Sequence, residues 1–201
     1  GEIVSLFSAT FAELGGRMVA RETHAADDTT AHSAEVARIL AQQPEVLLLP
    51  DLSPRDSVML RGLRKSGFRG RVLGSDSWDA VSMARIPDLS GTIIVANWDR
   101  RTERPAARYF RQQWNADPAA GDPRAAAVAT YDAVHLLARA AARSGVRSGR
   151  ALADSVRSYG RFDGAMANYT FAGSGDPTRS ATILEVRGDS TALRGVIEPR
   201  R

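Results

Sequence analysis

The sequence contains no cysteine and only one lysine, Lys65. Without cysteine, thiol catalysis, zinc held by cysteine and disulfide bridges are all excluded. Arginine supplies the other basic side chains, and the 27 basic residues exceed the 23 acidic residues by only four. This excess is spread along the chain and forms no basic stripe with interleaved aromatic residues, so we expect no nucleic-acid partner.

Motifs for catalysis and cofactor binding are also missing. The sequence has no Gly-x-Ser-x-Gly elbow, no Walker loop and no Gly-x-Gly-x-x-Gly turn, so we expect neither enzymatic activity nor a cofactor. His24 and His32 lie near Asp27 and Asp28, which leaves a metal site as a minor alternative to a solvated loop. The sequence contains no apolar run of membrane-spanning length. We expect any export signal to lie outside residues 1–201.

The first half of the chain alternates helical and extended patterns with short connections. Val46–Leu49 is a continuous apolar run, which is typical of a strand buried on both faces of a parallel sheet. Further strands are predicted at residues 17–22, 71–74 and 92–96. The sequence Ser53-Pro-Arg-Asp56 begins a helix, because serine caps the N-terminus and proline fits the first turn. This alternation predicts an α/β fold with a mostly parallel, doubly wound sheet.

The second half begins with a charged connector after Asn97 and is then mainly helical. Its longest helix is predicted at residues 124–143, with Tyr131 in the core and Asp132 on the helix surface. Ser148 is the predicted N-cap of a shorter helix. The chain then turns to β structure, with segments predicted at residues 165–171, 181–186 and 193–197.

The chain begins with an apolar helical pattern, whereas a doubly wound domain normally begins with a strand. We therefore expect the opening strand of the first α/β unit to lie outside these residues, and the second α/β unit to be incomplete. An incomplete unit leaves apolar side chains uncovered. The long helix should then expose an apolar face that includes Val128, Tyr131, Val134 and Leu137.

Four stretches of the sequence carry the most specific patterns. They are Phe11-Ala-Glu-Leu-Gly-Gly-Arg-Met-Val-Ala-Arg-Glu22 with Asp28 beyond it, the stretch 44–79 ending in Leu73-Gly-Ser-Asp-Ser-Trp-Asp79, Ala129-Thr-Tyr-Asp-Ala-Val-His-Leu-Leu-Ala138, and Phe162-Asp-Gly-Ala-Met-Ala-Asn-Tyr-Thr-Phe171 with Gly175-Asp176. In this order and spacing they resemble the Leu/Ile/Val-type periplasmic binding proteins of ABC importers. The resemblance extends over nearly the whole chain.

The resemblance implies two α/β lobes that are joined by three crossover strands and hold a ligand between them. Residues 1–97 resemble lobe 2 without its first strand, and residues 98–175 resemble the returning part of lobe 1. Residues 176–201 resemble the C-terminal strands that return to lobe 2. Asn97 and Trp98 fall at the predicted hinge.

The resemblance also places a ligand site around the turn Gly74-Ser-Asp-Ser-Trp78. In the family an acid at the position of Asp76 holds the α-ammonium of an amino acid, and parallel strands present ligand-binding loops at their carboxyl ends. A carboxylate suits this role because a charge-assisted hydrogen bond is stronger than a neutral one. The alternative is that Asp76 or Ser77 only caps a short helix.

The other predicted ligand contacts flank this acid or follow the neighbouring strand. Ser75 lies beside Asp76, while Trp78 either walls the pocket or anchors the turn. Asp51 and Leu52 follow the Val46–Leu49 strand, and Leu52 stands where leucine-binding members carry an aromatic residue. Ser53 is better explained as a helix cap.

The predicted function is that of the solute-binding component of an ABC transporter. Such a component captures an amino acid or a similar small polar molecule and delivers it to a membrane permease. Its expected location is extracytoplasmic, as a periplasmic protein or a cell-surface lipoprotein. The alternative is a sensor ectodomain of a receptor or kinase with the same fold, since fold alone does not fix function.

Overall fold

The computed structural model describes residues 2–23, 33–50, 53–78, 89–144 and 148–199. The helices in these ranges are α1 (Glu2–Glu13), α2 (Ser33–Ala41), α3 (Ser53–Lys65), α4 (Pro105–Trp114), α5 (Ala125–Ser144) and α6 (Gly149–Arg157). The strands are β1 (Val46–Leu49), β2 (Arg71–Gly74), β3 (Ile93–Ala96), β4 (Arg161–Asp163), β5 (Asn168–Thr170), β6 (Thr178–Arg179), β7 (Ala181–Arg187) and β8 (Ser190–Ile197).

The main sheet has five strands in the order β1-β2-β3-β7-β8. Strands β1 and β2 run parallel, with Val46 opposite Arg71 and Leu49 opposite Gly74. Strand β3 runs parallel to β2. Parallel strands need long crossovers between them, and helix α3 connects β1 to β2. The α/β fold with a parallel arrangement at β1–β3 is therefore confirmed.

The chain divides into two compact units. The first comprises residues 1–95 and 184–192, and the second comprises residues 96–183 and 193–201. The second unit contains a separate sheet of antiparallel strands in the order β4-β5-β6. The two units are defined by packing within the chain. Their assignment to the predicted lobes stays a prediction.

Each unit has its own apolar core. In the first, helix α3 contributes Leu60 and Leu63 and strand β2 contributes Val72, all without exposed surface. In the second, two clusters of buried side chains form around helices α4 and α5. One contains Trp98, Ala107, Phe110, Val128 and Ala165, and the other contains Ala140, Tyr159, Phe162 and Phe171.

Two predicted strands differ from the structure. Residues 17–22 are extended but form no strand, so that prediction is wrong. The sheet ends at β1, and among the described residues no further strand lies beside it to complete a ladder with this segment. The predicted strand 165–171 is reduced to Asn168–Thr170, because residues 164–167 form the turn that joins β4 to β5.

Helix α5 has both buried and exposed apolar positions along its length. Val128 has no exposed surface, whereas Val134 is 59% and Leu137 45% exposed. Tyr131 is partly buried and packs against the cluster of Trp98 and Phe110, which agrees with its predicted place in the core and disagrees with the predicted exposed face. The exposed apolar face expected on this helix is thus present at two of its four positions.

Within the described ranges, no helix combines the length and apolar character needed to span a bilayer.

Candidate functional site

The turn after β2 holds together through its own serines. The Ser75 and Ser77 hydroxyl oxygens lie 2.7 Å apart, and the Ser77 N–H donates to the Ser75 hydroxyl at 3.3 Å. The Trp78 N–H donates to the Ser75 carbonyl at 3.2 Å. Ser75 Oγ also lies 3.5 Å from the carbonyl oxygen of Pro50, which directly follows β1. The turn is therefore fixed at the edge where β1 and β2 both end.

Trp78 is buried beneath this turn, with only 2% of its surface exposed. Its ring lies so close to Gly74 that a Cβ at that position would stand 2.7 Å from the indole. The indole N–H is buried and has no acceptor among the described residues. Within the described chain, Trp78 thus anchors the turn against the end of β2.

Asp76 is exposed, in contrast to the buried Ser75 on one side and the buried Trp78 close by. Its neighbours fix the backbone, so the position of the carboxylate depends on a turn that is already ordered. An exposed carboxylate on an ordered turn can bind a cation with little further ordering.

The remaining predicted site residues lie partly outside the described ranges. Asp51 and Leu52 lie outside these ranges, and the side chain of Ser53 is also not described. Helix α3 begins at Ser53, as predicted. Asn97 is partly buried directly after β3, and Trp98 is a member of the second unit's core. The roles of these residues at a ligand site or hinge stay predictions.

Metal-binding groups are not found in the part of the chain that the structure describes. No cluster of three histidine or acidic side chains occurs there. His24 and His32, together with Asp27 and Asp28, lie outside the described residues.

Asp132 was predicted on the helix surface, and that prediction is wrong. Its side chain is only 4% exposed and accepts hydrogen bonds from the Ala165 N–H at 2.6 Å and the Met166 N–H at 2.8 Å. The Tyr169 hydroxyl donates to the same carboxylate at 3.3 Å. Helix α5 therefore uses Asp132 to hold the turn between β4 and β5.

Arg104 also holds the turn between β4 and β5, because it donates hydrogen bonds to carbonyl groups of that turn. Its guanidinium donates to the Ala165 carbonyl at 2.9 Å and to the Met166 carbonyl. Burial lowers the pKa of this guanidinium. Burial, and next the charge of Asp132, raise the pKa of Tyr169 to about 12. Two sequence features together point to this network. One is an aspartate on an otherwise apolar helix, and the other is a Phe-x-Gly turn later in the chain.

A cavity of about 570 Å³ lies in the second unit beside this network. Its lining includes Arg104, Asp132 and His135. The Asp132 carboxylate is already occupied by protein donors, and the His135 ring lies 4.3 Å from the ring of Tyr131. The cavity therefore offers a ligand fewer free polar groups than its lining suggests, and it does not include Asp76.

Solved structures resemble this chain over nearly all of its length. A leucine-binding protein from Thermotoga maritima is 25% identical, with a TM-score of 0.88, over 98% of this chain and 56% of that one. A solute-binding protein from R. palustris, solved with benzoate, is 19% identical, with a TM-score of 0.82, over 98% of this chain and 55% of that one. A branched-chain amino acid transporter substrate-binding protein from Streptococcus pneumoniae, solved with isoleucine, is 19% identical, with a TM-score of 0.77, over 96% and 55%.

The last two likenesses show the fold alone. The chain spans little more than half the length of each of these proteins. A search of curated proteins finds no match. The family model for periplasmic binding proteins matches residues 2–191. The resemblance inferred from the sequence is thereby confirmed, and the chain belongs to the periplasmic binding protein family.

Proposed function

We propose that this protein is the extracytoplasmic solute-binding component of an ABC transporter and that it captures an amino acid. The observation that carries the proposal is the exposed Asp76 carboxylate on the ordered turn at the carboxyl end of β2. In this proposal Asp76 binds the ligand's ammonium group, and the Ser75–Ser77 hydroxyl pair maintains the turn. Asp51 and Leu52 are proposed further contacts.

Proteins of this fold have been solved with an amino acid and with an aromatic acid. A carboxylate distinguishes these two classes, because it attracts an ammonium and repels the anionic group of a benzoate-like molecule. A closing, partly dry site strengthens both effects relative to water. Asp76 therefore favours a zwitterionic amino acid over an aromatic acid.

Delivery to a membrane permease follows from the same proposal. Ligand binding would stabilise one arrangement of the two proposed lobes, and the permease would recognise that arrangement. The proposed lobes follow the sequence-based division at residues 97 and 175, and the proposed location is outside the cytoplasm.

The proposal is tested by comparing ligands that differ in one group. Leucine, 4-methylpentanoate (leucine without its amino group) and benzoate are added to the protein in its full natural length, and thermal unfolding is followed. A ligand that binds only the folded state raises its stability by about 2.7 kcal/mol at a concentration of 100 times Kd. We expect stabilisation by an amino acid, with leucine the first candidate, and none by 4-methylpentanoate or benzoate. Stabilisation by benzoate and by none of the twenty amino acids would contradict the proposal.

A further inference from the structure

Strand β8 forms one edge of the five-stranded sheet, and among the described residues no strand lies on its outer side. An edge strand presents N–H and C=O groups that can pair with a strand of another chain. Leu193, Val196 and Ile197 of β8 are each more than half exposed. Because neighbouring residues of a strand point to opposite faces, Val196 and Ile197 leave apolar side chains uncovered on both faces. The C-terminal half of β8 is therefore an apolar edge on which another strand can pair.

The sequence at this edge is complementary to itself. Residues 194–198 read Arg-Gly-Val-Ile-Glu. When two copies pair antiparallel about Val196, that residue meets its own counterpart, and Arg194 of each copy lies opposite Glu198 of the other. Gly195 lies opposite Ile197, so the larger side chain meets a residue that has none. Such a pairing is symmetric, because the same surface of both copies forms it.

Charge also selects this register over its neighbours. Arg194, Val196 and Glu198 alternate along the chain and therefore share one face, where two opposite-charge pairs flank the valines. Both charged side chains are exposed. A pairing centred on Arg194 would instead bring like charges together, which is destabilising. Pro199 has no backbone N–H and limits further pairing beyond Glu198.

We propose that the β8 edge is the interface of a symmetric dimer, in which residues 194–198 of two copies pair antiparallel about Val196. Two five-residue strands alone fall short of the roughly 1,200 Å² that a standard interface buries, so the dimer should be weak and form at high protein concentration. The dimer does not depend on a bound ligand. Its tests therefore use none, and it can fail while the proposed function stands.

The first test is sedimentation equilibrium of the protein in its full natural length over about a hundredfold range of concentration, which reveals a weak dimer. The average mass of the parent should rise toward twice that of the monomer. Arg194→Glu puts like charges opposite each other at two symmetric places and should weaken the dimer at least about tenfold. Adding Glu198→Arg restores opposite charges and should recover the dimer. Arg150→Glu, the same charge change at an exposed position of α6, should associate like the parent.

The second test is a disulfide at the centre of the proposed register. Residues 1–201 contain no cysteine, and the oxidised parent sets the background. Val196→Cys places two thiols opposite each other at a Cα separation of about 4.5–5.5 Å, which a disulfide spans. Ile197→Cys is the matched control, because the side chain is 60% exposed against 52% for Val196. Its own counterpart lies diagonally across the pair, at about 7–8 Å, where a disulfide does not form without backbone movement.

Under mild oxidation the disulfide-linked dimer should form at least about tenfold faster in Val196→Cys than in Ile197→Cys. Equal rates would indicate random collision and would overturn the proposed register. A parent that stays monomeric at every concentration would overturn the dimer, as would a double charge variant that associates no better than Arg194→Glu. If a strand from outside residues 1–201 covers this edge, the parent stays monomeric and neither cysteine variant cross-links, and the proposal is wrong.

Discussion

Two aspartates, one in each unit, lie beside tight turns in opposite surroundings. Asp76 is exposed on a turn that is held by serine hydroxyls and a buried tryptophan. Asp132 is buried, and its carboxylate accepts from two main-chain N–H groups and a tyrosine hydroxyl. A carboxylate that accepts from two buried main-chain N–H groups and a tyrosine hydroxyl stabilises the fold, whereas the exposed Asp76 carboxylate is the proposed contact of a ligand.

The two turns also use glycine differently. Gly74 lets the Trp78 ring lie against the end of β2, and Gly164 lets the Asp132 carboxylate approach the β4–β5 turn. In the first case the close approach fixes the backbone beneath an exposed acid. In the second it brings the acid itself into the core.

The largest effect is expected at the buried aspartate. Asp132→Ala should lower the free energy of unfolding by at least about 3 kcal/mol, because it leaves three donors without an acceptor and each costs about 1–3 kcal/mol. Urea unfolding of the purified chain measures this. Asp154→Ala, which removes an exposed carboxylate that pairs with Arg157 at the surface, should change stability by less than about 1 kcal/mol. Equal effects of the two substitutions would mean that the buried Asp132 carboxylate stabilises the fold no more than an exposed carboxylate does.

A smaller effect is expected where the turn approaches this carboxylate. In Gly164→Ala the new Cβ would overlap the Asp132 carboxylate and stand 2.9 Å from the Ala167 carbonyl oxygen. Overpacking of this kind costs about 1–3 kcal/mol. Gly175→Ala is the control, since its Cβ would have no neighbour within 4 Å, and it should change the urea midpoint little. A neutral Gly164→Ala would mean that the turn can move away from Asp132.

The smallest effect is a change in pH dependence at Tyr169. Because the folded state raises the pKa of Tyr169 to about 12, it favours the neutral phenol. The associated stability is complete below the ordinary tyrosine pKa of about 10 and is lost as pH rises from there to about 12. Tyr169→Phe should therefore flatten the decline of stability in this window, measured by urea unfolding at several pH values. Tyr109→Phe, at an exposed position, should leave the decline of stability with pH unchanged. If Tyr169→Phe also leaves this decline unchanged, the buried environment assigned to the Tyr169 hydroxyl is wrong.

The sequence identified most elements because their signals are local. The apolar run Val46–Leu49 became strand β1, although β1 is a partly exposed edge strand and is not buried on both faces as predicted. Ser148 caps helix α6 by accepting from the Ala151 N–H at 3.3 Å. Residues 17–22 failed because a strand requires a partner that local patterns cannot supply. Asp132 failed for a related reason, since its donors lie 33 or more residues away in the sequence. Asp76 was predicted from the end of a strand and from family resemblance, and its ligand role stays a proposal.

The most direct test of the account is calorimetric titration of Asp76→Asn with the amino acid that the parent protein binds. The substitution keeps the side-chain shape and removes the charge, and a hydrogen bond to a charged group contributes about 1.5–3 kcal/mol. Affinity should therefore fall about 10- to 150-fold, with the urea midpoint unchanged. Asp154→Asn, at an exposed site of the second unit, should bind like the parent. If Asp76→Asn binds the amino acid as tightly as the parent does, Asp76 only forms the turn and the proposed ammonium site is wrong.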